Sequence, residues 1–409
     1  MKGLLKVLGG LVALIVVAIV TISLLFDPND YKAEIETLAR DKAAVELNIG
    51  GDIGWSLFPT LGLELEQVEA KTLEGKPLAS LNKAQIAVKL SALLGGKVVM
   101  DGVLIDGLQL AIVAPDKGSS EQSTPEKGTA QGAEGEAAQG MKLDIGSVDI
   151  RNANISYEDP NSGQKFVLTD FNFSGQNVVS QKAFPAAMDF QLAIYQGSDE
   201  ASMKLEMDLE TQLFLDTVNN LFKANGLDLN IKLQGQAFAD KTVELAMKAD
   251  LLADLAADRA EVKGLSLNLA DMTMSADIDV QQMSHQPKLS GQIKVAAFDL
   301  NQLLVALGQA AVVTADADAL KQVAFSTRLE GPANTLGLKE LELQLDDTHF
   351  KGDVSYDLAT GAQRIRLQGD QIDLDRYLPP KSEQAAASSG GTEAASTERY
   401  PKTPLFPIE

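Results

Sequence analysis

Apolar and polar residues alternate one for one through most of this chain, and little of it repeats with any other period. Leu61, Leu63 and Leu65 are separated by Gly62 and Glu64, and Ile86 and Val88 flank Ala87. Met203, Leu205, Met207 and Leu209 alternate with Lys204, Glu206 and Asp208, and Leu227, Leu229, Ile231 and Leu233 with Asp228, Asn230 and Lys232. Leu341, Leu343 and Leu345 alternate with Glu342 and Gln344, and Ile365 and Leu367 with Arg364 and Arg366. Successive side chains of a strand point to opposite faces, so this period means strands with one apolar and one wet face. Parallel strands buried on both sides read instead as unbroken apolar runs. The expected fold class is mainly β: an elongated, curved, antiparallel sheet of repeating units with a few helices.

Helical spacing is scarce. It predicts a helix in DPNDYKAEIETLARDKAAVEL, where Pro28 suits a first turn and Tyr31, Ile35, Leu38 and Lys42 follow the helical period. It predicts others over 209–226, where Leu213, Val218, Leu221 and Phe222 share a side and Gly226 stops the run, over 298–310, and over the short stretch 316–323. So few helices cannot shield the apolar faces of so many strands. Either the strands face one another as a closed sandwich, or they bend around an apolar interior that something else fills.

Val7 to Phe26 holds no charged residue, and at about 1.5 Å per residue it matches the roughly 30 Å hydrocarbon core of a bilayer. Lys2 and Lys6 precede it and Asp27 and Asp30 follow, which predicts an uncleaved single-pass anchor with the N-terminus in the cytoplasm. The expected organisation is a cytoplasmic start (1–6), an anchor (7–26), a helix with a first β unit (27–113), a disordered Gly/Ser/Ala/Glu/Gln-rich loop (114–141), a β-rich groove domain (142–380), and a disordered linker with the C-terminal end (381–409). Two internal likenesses stand out: DGVLIDGLQLAIV (101–113) with IGSVDIRNANISY (145–157), and AFDLNQLL (297–304) with QIDLDRYL (371–378).

Acidic residues number 57 against 35 basic, a net charge of −22, which speaks against nucleic acid because phosphate binding needs lysine and arginine. With no cysteine, thiol nucleophiles, iron–sulfur clusters and zinc–thiolate sites are excluded. No phosphate-binding glycine loop, nucleophile elbow, zinc-protease motif or dinucleotide pattern occurs. His285 and His349 stand alone in the sequence, and the Asp277/Asp279, Asp316/Asp318 and Asp373/Asp375 pairs do not extend into a calcium loop. No catalytic residue, cofactor or metal is expected, and the chain reads as a non-enzyme. The only tryptophan, Trp55, with Leu57 and Phe58, either plugs the end of the first apolar layer or sits at a membrane interface.

The run FDPNDYKAEIE, then GDIGWSLFPTLGLELEQVEA, then PLASLNKAQIAVKLSALLGGKVVMDGVLIDGLQLAIV resembles the start of an AsmA-family protein, and FKGDVSYDL (350–358) and DQIDLDRYLPP (370–380) resemble the motifs closing that family's first half. The resemblance implies an inner-membrane protein of Gram-negative bacteria that projects into the periplasm. It also implies kinship with bridge-like lipid-transfer proteins, whose curved sheets form an apolar groove, and a link to outer-membrane assembly and phospholipid movement. Relatives usually continue beyond a linker like 381–404 into a second β-rich half, whereas this chain ends at Ile408 and Glu409. The residues expected to face lipid are Leu61, Leu63, Leu65, Ile86, Val88, Met203, Leu205, Met207, Leu229, Ile231, Leu341, Leu343, Leu345, Ile365 and Leu367, with Trp55, Leu57 and Phe58 near the membrane. The expected partners are the inner membrane through 7–26, phospholipids, and envelope or outer-membrane assembly proteins. The competing expectation is an assembly factor with a closed sandwich and no groove.

Overall fold

A computed structural model describes residues 27–56, 61–89, 92, 99–114, 144–332 and 334–380. The chain enters through a 3-10 turn at Pro28–Tyr31, where Asp27 accepts the Asn29 N–H, and continues as helix α1 (Lys32–Ala43). The predicted first helix is therefore present. Strands β1 (Val45–Ile49), β2 (Gly54–Ser56), β3 (Leu61–Thr72), β4 (Pro77–Val88), β5 (Met100–Asp106) and β6 (Gln109–Val113) follow. Next come β7 (Asp144–Asp159), β8 (Gln164–Val179), β9 (Ala183–Gln196), β10 (Met203–Asp216), β11 (Leu221–Gly235), β12 (Thr242–Asp254), β13 (Arg259–Leu269), β14 (Met272–Gln281) and β15 (Lys288–Phe298). Helix α2 (Leu300–Ala306) then precedes β16 (Val323–Pro332), β17 (Thr335–Leu345), β18 (Thr348–Asp357) and β19 (Gln363–Gly369).

All these strands belong to one sheet. From β7 onward each strand pairs antiparallel with the next, through to β19. At the other end β1 and β2 lie along one side of β3, β3 pairs with β4, and β4 pairs with both β5 and β6. One step departs from the meander. β5 and β6 run parallel to β7, Met100 opposite Ile145 and Val113 opposite Glu158, so the two similar segments noted in the sequence lie side by side. A parallel step needs a crossover of a dozen residues or more, which accounts physically for the long interval between Val113 and Asp144.

Two expected helices are corrected. Residues 209–226 form the end of β10, a turn, and the start of β11, with Leu213 opposite Ala224 and Leu215 opposite Phe222. Two period-2 runs either side of a short turn imitated helical spacing there. The buried Asp216 closes that turn by accepting the N–H groups of Val218 and Asn219, at 3.2 and 3.1 Å. Residues 316–323 are likewise a turn entering β16, in which Asp316 accepts the Asp318 N–H at 2.9 Å. Of 298–310, only Leu300–Ala306 is α-helical, capped by Asp299 accepting the Gln302 N–H.

Open sheets this wide cannot stay flat. A twist of about 20–25° per strand pair accumulates to roughly a full turn along the row, and sheets beyond about ten strands curl or split. Local bends reinforce the curl. Asn152, Asp170, Gly226, Gly264 and Glu340 lie within strands at left-handed φ values of 52, 52, 60, 58 and 49°. Register shifts surround these residues in β7, β8, β11, β13 and β17, as β-bulges produce. Each bulged N–H is accepted by a carboxylate or amide on a neighbouring strand: Asn172, Asn154, Asp250, Asp277 and Asp353, at 2.9, 3.1, 2.6, 2.7 and 3.2 Å respectively. The Thr211 and Thr327 hydroxyls, both buried, donate to the carbonyls just before two of them, Asn225 and Lys339.

Candidate functional site

Residues directly opposite across a ladder share a face, so the registers trace one face across the whole sheet. Trp55 stands opposite Leu63, Leu63 opposite Ile86, Ile86 opposite Val103, and Val103 opposite Val148. Val148 leads through Gly175, Ala186 and Thr211 on β8, β9 and β10. On β10, Met203, Leu205, Met207 and Leu209 share that face with Ile194, Leu192, Phe190 and Met188 on one side and with Leu233, Ile231 and Leu229 on the other. The face continues through Met247, Leu267, Met274, Val295, Phe325, Leu343 and Phe350. It ends at β19, where Leu367 and Ile365 lie opposite Gly352 and Val354. Leu61 and Val88, paired with each other, and Leu65, Leu341 and Leu345 belong to it by the same alternation. The sheet thus gathers every candidate lining residue onto one side. Leu57 and Phe58 lie outside the described residues.

No second layer covers this face among the described residues. No large side chain is fully buried there, and Leu63, Ile86, Ile365 and Leu367 are 38, 52, 59 and 42 % exposed. Met203, Leu205 and Met207 are only half-buried. The tightest packing is the local cluster of Val178, Phe184 and Ala186 with Ile145, Val148, Phe173, Leu213 and Leu215, all on neighbouring strands.

The opposite face is polar and held by cross-strand ion pairs: Lys248 with Asp228 at 2.8 Å, Lys351 with Glu342 at 2.8 Å, Lys232 with Glu206 at 3.5 Å. There Arg259 reaches Asp279 at 3.0 Å and also contacts Glu261, which Lys263 approaches at 3.0 Å. The Glu64 carboxyl sits below its ordinary range, chiefly through its hydrogen bond from Lys83. A hollow of about 690 Å³ crosses β3, β4, β6, β7 and β8, and its lining interleaves Ala70, Ala79, Leu110 and Ile155 with Lys71, Ser80, Gln109 and Thr169. A hollow touched by residues of both faces marks a thin sheet, and the continuous apolar face is the stronger candidate site.

Neither histidine builds a catalytic arrangement. His285 Nδ1 lies 2.7 Å from Ser284 Oγ, but Ser284 also donates to Asp258, so the carboxylate orients the serine and not the imidazole. His349 Nδ1 approaches Asp370 at 3.3 Å on an exposed edge. Among the described residues no cluster of His, Cys, Asp and Glu could hold a metal ion.

Sequence reasoning missed a repeated clip that positions this face. Asn29 Nδ2 donates to the Ile53 carbonyl at 3.2 Å and its Oδ1 accepts the Ile53 N–H at 2.9 Å. Asn301 grips Val312 in the same way, at 3.2 and 2.7 Å. Each asparagine stands two residues after a capping aspartate, Asp27 or Asp299, and Asp373 caps a third such turn at Leu374–Tyr377. The signal was present as Asp-x-Asn or Asp-x-Asp in FDPND, FDLNQ and IDLDR.

Among the described residues the chain is a single-sheet β protein with one long apolar face that no second layer covers. The AsmA family model matches residues 1–403, and the chain belongs to the AsmA family. No curated protein and no solved structure matches the chain. This is a family of bacterial envelope proteins, not known as enzymatic, and membership points to outer-membrane assembly or lipid transport. Among the described residues no helix is long and apolar enough to cross a membrane; the expected span, 7–26, lies outside them.

Proposed function

We propose that the chain is a non-enzymatic, membrane-anchored lipid conduit whose apolar face carries phospholipid acyl chains. The observation that carries this reading is the apolar face traced through β2–β5 and β7–β19, uncovered among the described residues. Burying apolar surface contributes about 25 cal/mol per Å², so an exposed face of this extent favours an oily guest. Headgroups would remain at the open rim, in water. The anchor is residues 7–26 in the inner membrane, with the N-terminus in the cytoplasm and the rest in the periplasm.

The clip at Asn29 supports a membrane-proximal mouth. It ties Ile53 to Asn29, which stands three residues after the end of the apolar run, and Trp55 follows Ile53 by two residues on the apolar face. Acyl chains leaving the bilayer would meet Trp55, Leu63 and Ile86 first.

Placing a photo-crosslinking amino acid at Leu229, and separately at its polar-face neighbour Asn230, tests the reading. Full-length protein isolated from cells should carry crosslinked phospholipid from position 229 and not from 230. Equal labelling, or labelling by protein alone, would sink the conduit and favour an assembly factor. Leu343→Asp should leave the circular dichroism spectrum unchanged while abolishing most lipid capture.

A further inference from the structure

Helix α1 packs onto the sheet with its polar side and turns its apolar side away. Lys32, Glu36 and Arg40, four residues apart, face β1 and the loop that follows it. Lys32 reaches Asp52 at 3.5 Å, Glu36 accepts the Ile49 N–H at 3.0 Å, and Arg40 reaches Glu46 at 3.2 Å. No residue of α1 is buried. Tyr31, Ile35 and Leu38 follow the helical period along another flank, where Lys42 ends the stripe, and the three are 45, 37 and 58 % exposed. At about 100° per residue this stripe lies roughly 130° around the helix from the Lys32–Glu36–Arg40 line, with Thr37 on the other flank. A surface helix ordinarily sets its apolar stripe against the core, so the arrangement is inverted.

The stripe's place in the chain says what it meets. The uncharged run ends at Phe26, five residues before Tyr31, and a 3-10 turn takes up most of the interval. Such a turn rises only about 2 Å per residue, so Tyr31 lies at most roughly 10–15 Å from the end of the run. The headgroup layer on each side of the hydrocarbon core is about 5–7 Å thick. Tyrosine suits that layer, with an apolar ring and a polar tip, and a lysine stem can lie along apolar surface with its ammonium in water.

We propose that α1 is an interfacial helix whose Tyr31–Ile35–Leu38 stripe seats in the headgroup layer of the membrane. The proposal rests on the anchor at residues 7–26. Glu34 and Asp41 border the stripe, so apolar contact and not charge carries the seat. Three side chains are few, but the anchor holds them at the surface, and a tether multiplies a weak contact. A second copy fits worse, because a stable protein interface needs about 800 Å² from each partner, beyond what such a stripe supplies. Asn29 and Lys32 tie α1 to Ile53 and Asp52, just before Trp55, so the seat also fixes how the mouth meets the bilayer.

The chain has no cysteine, so single cysteines can be read one at a time. Ile35→Cys, Leu38→Cys and Thr37→Cys are made in the full-length chain and placed in phosphatidylcholine nanodiscs holding one chain each. The rate of labelling by a water-soluble maleimide is divided by the rate in urea. Positions 35 and 38 should react about tenfold more slowly than 37, as burial of part of an apolar side chain implies. A fluorophore at 35 or 38 should be quenched by phosphatidylcholine spin-labelled at its headgroup, and one at 37 should not. Equal rates at the three positions, or protection without quenching, would overturn the proposal. So would protection that appears only in vesicles crowded with protein, which would assign the stripe to a second copy. A chain that failed to enter the discs would sink the anchor and the seat together. Labelling here does not touch the apolar face of the sheet, so its failure would leave the conduit standing, and loss of lipid crosslinking at Leu229 would leave the seat standing.

Discussion

The two lateral edges of the sheet are finished in opposite ways. At the first, helix α1 lies against β1, Glu36 takes the Ile49 N–H at 3.0 Å, and Arg40 reaches Glu46 at 3.2 Å. Asn29 then pins the loop between β1 and β2 at Ile53. At the last, among the described residues no helix lies along β19, and the chain leaves it to reinforce the end of the sheet. There Arg376 reaches Asp347 at 3.2 Å and Asp316 at 2.6 Å, while the Tyr377 hydroxyl donates to Asp346 at 3.0 Å. Among the described residues, the first edge has a helix laid along β1, whereas at the last it is the neighbouring turns that are fixed. A helix laid along an edge strand shields its backbone groups, and α1 serves β1 in that way.

The largest expected effect lies in the reinforcement beside β19. Asp346, 7 % exposed, accepts the N–H groups of Leu320, Lys321 and Gln322 at 2.8, 3.0 and 3.1 Å, besides the Tyr377 hydroxyl. Asp346→Ala strands those donors and should cost about 2–4 kcal/mol in urea unfolding, because each buried unpaired group is expensive. Burial alone would push this carboxyl upward, but the N–H and hydroxyl donors outweigh it and hold it below its ordinary value. A lowered folded pKa means that its stabilisation is complete above the unfolded value, near about 3.9, and disappears as pH falls through the folded one. The protection factors of the Leu320–Gln322 amides, corrected for the intrinsic pH dependence of exchange, should therefore fall on acidification below about pH 4 in the wild type, and should be low and insensitive to pH there in the variant. An unchanged wild-type profile through that window would show that the hub does not hold this end.

The paired clips come next. Asn29→Ala and Asn301→Ala each remove two hydrogen bonds to one residue, and each should cost about 1–2 kcal/mol. Their readouts separate the regions: Asn29→Ala should loosen the environment of Trp55, seen in its fluorescence, and Asn301→Ala should leave that signal untouched. If both variants changed Trp55 equally, the two clips would not act locally.

How much of this was legible follows from period. Strands such as β3, β10 and β17 were visible because their alternation is strict, and the placement of Leu205, Ile231 and Leu343 on a single face follows from it. The helix expected over 209–226 failed because Leu213 and Leu221 belong to different strands joined by a turn that Asp216 closes. Period is blind to chain reversal. The bulges were illegible for a related reason: Asp277 reads as one more solvated residue of a strand, yet it accepts the Gly264 N–H at 2.7 Å and fixes a bend. The parallel step hid in plain view as a likeness between 101–113 and 145–157, since similar sequences can be neighbours in either direction.

The smallest expected effect tests the closed edge itself. Glu36→Ala leaves α1 intact, because the carboxylate lies on the side of the helix facing β1, but frees the Ile49 N–H. Exchange of that one amide should quicken about five- to tenfold, the equivalent of one ordinary hydrogen bond, with global stability scarcely moved. The informative part is what else appears. If the helix protects the edge chiefly by bulk, the other amides of Val45–Ile49 exchange as slowly in the variant as in the wild type. If the carboxylate is the guard, those amides should quicken together with Ile49. That result would turn the contrast between the edges from one of coverage into one of a single hydrogen bond.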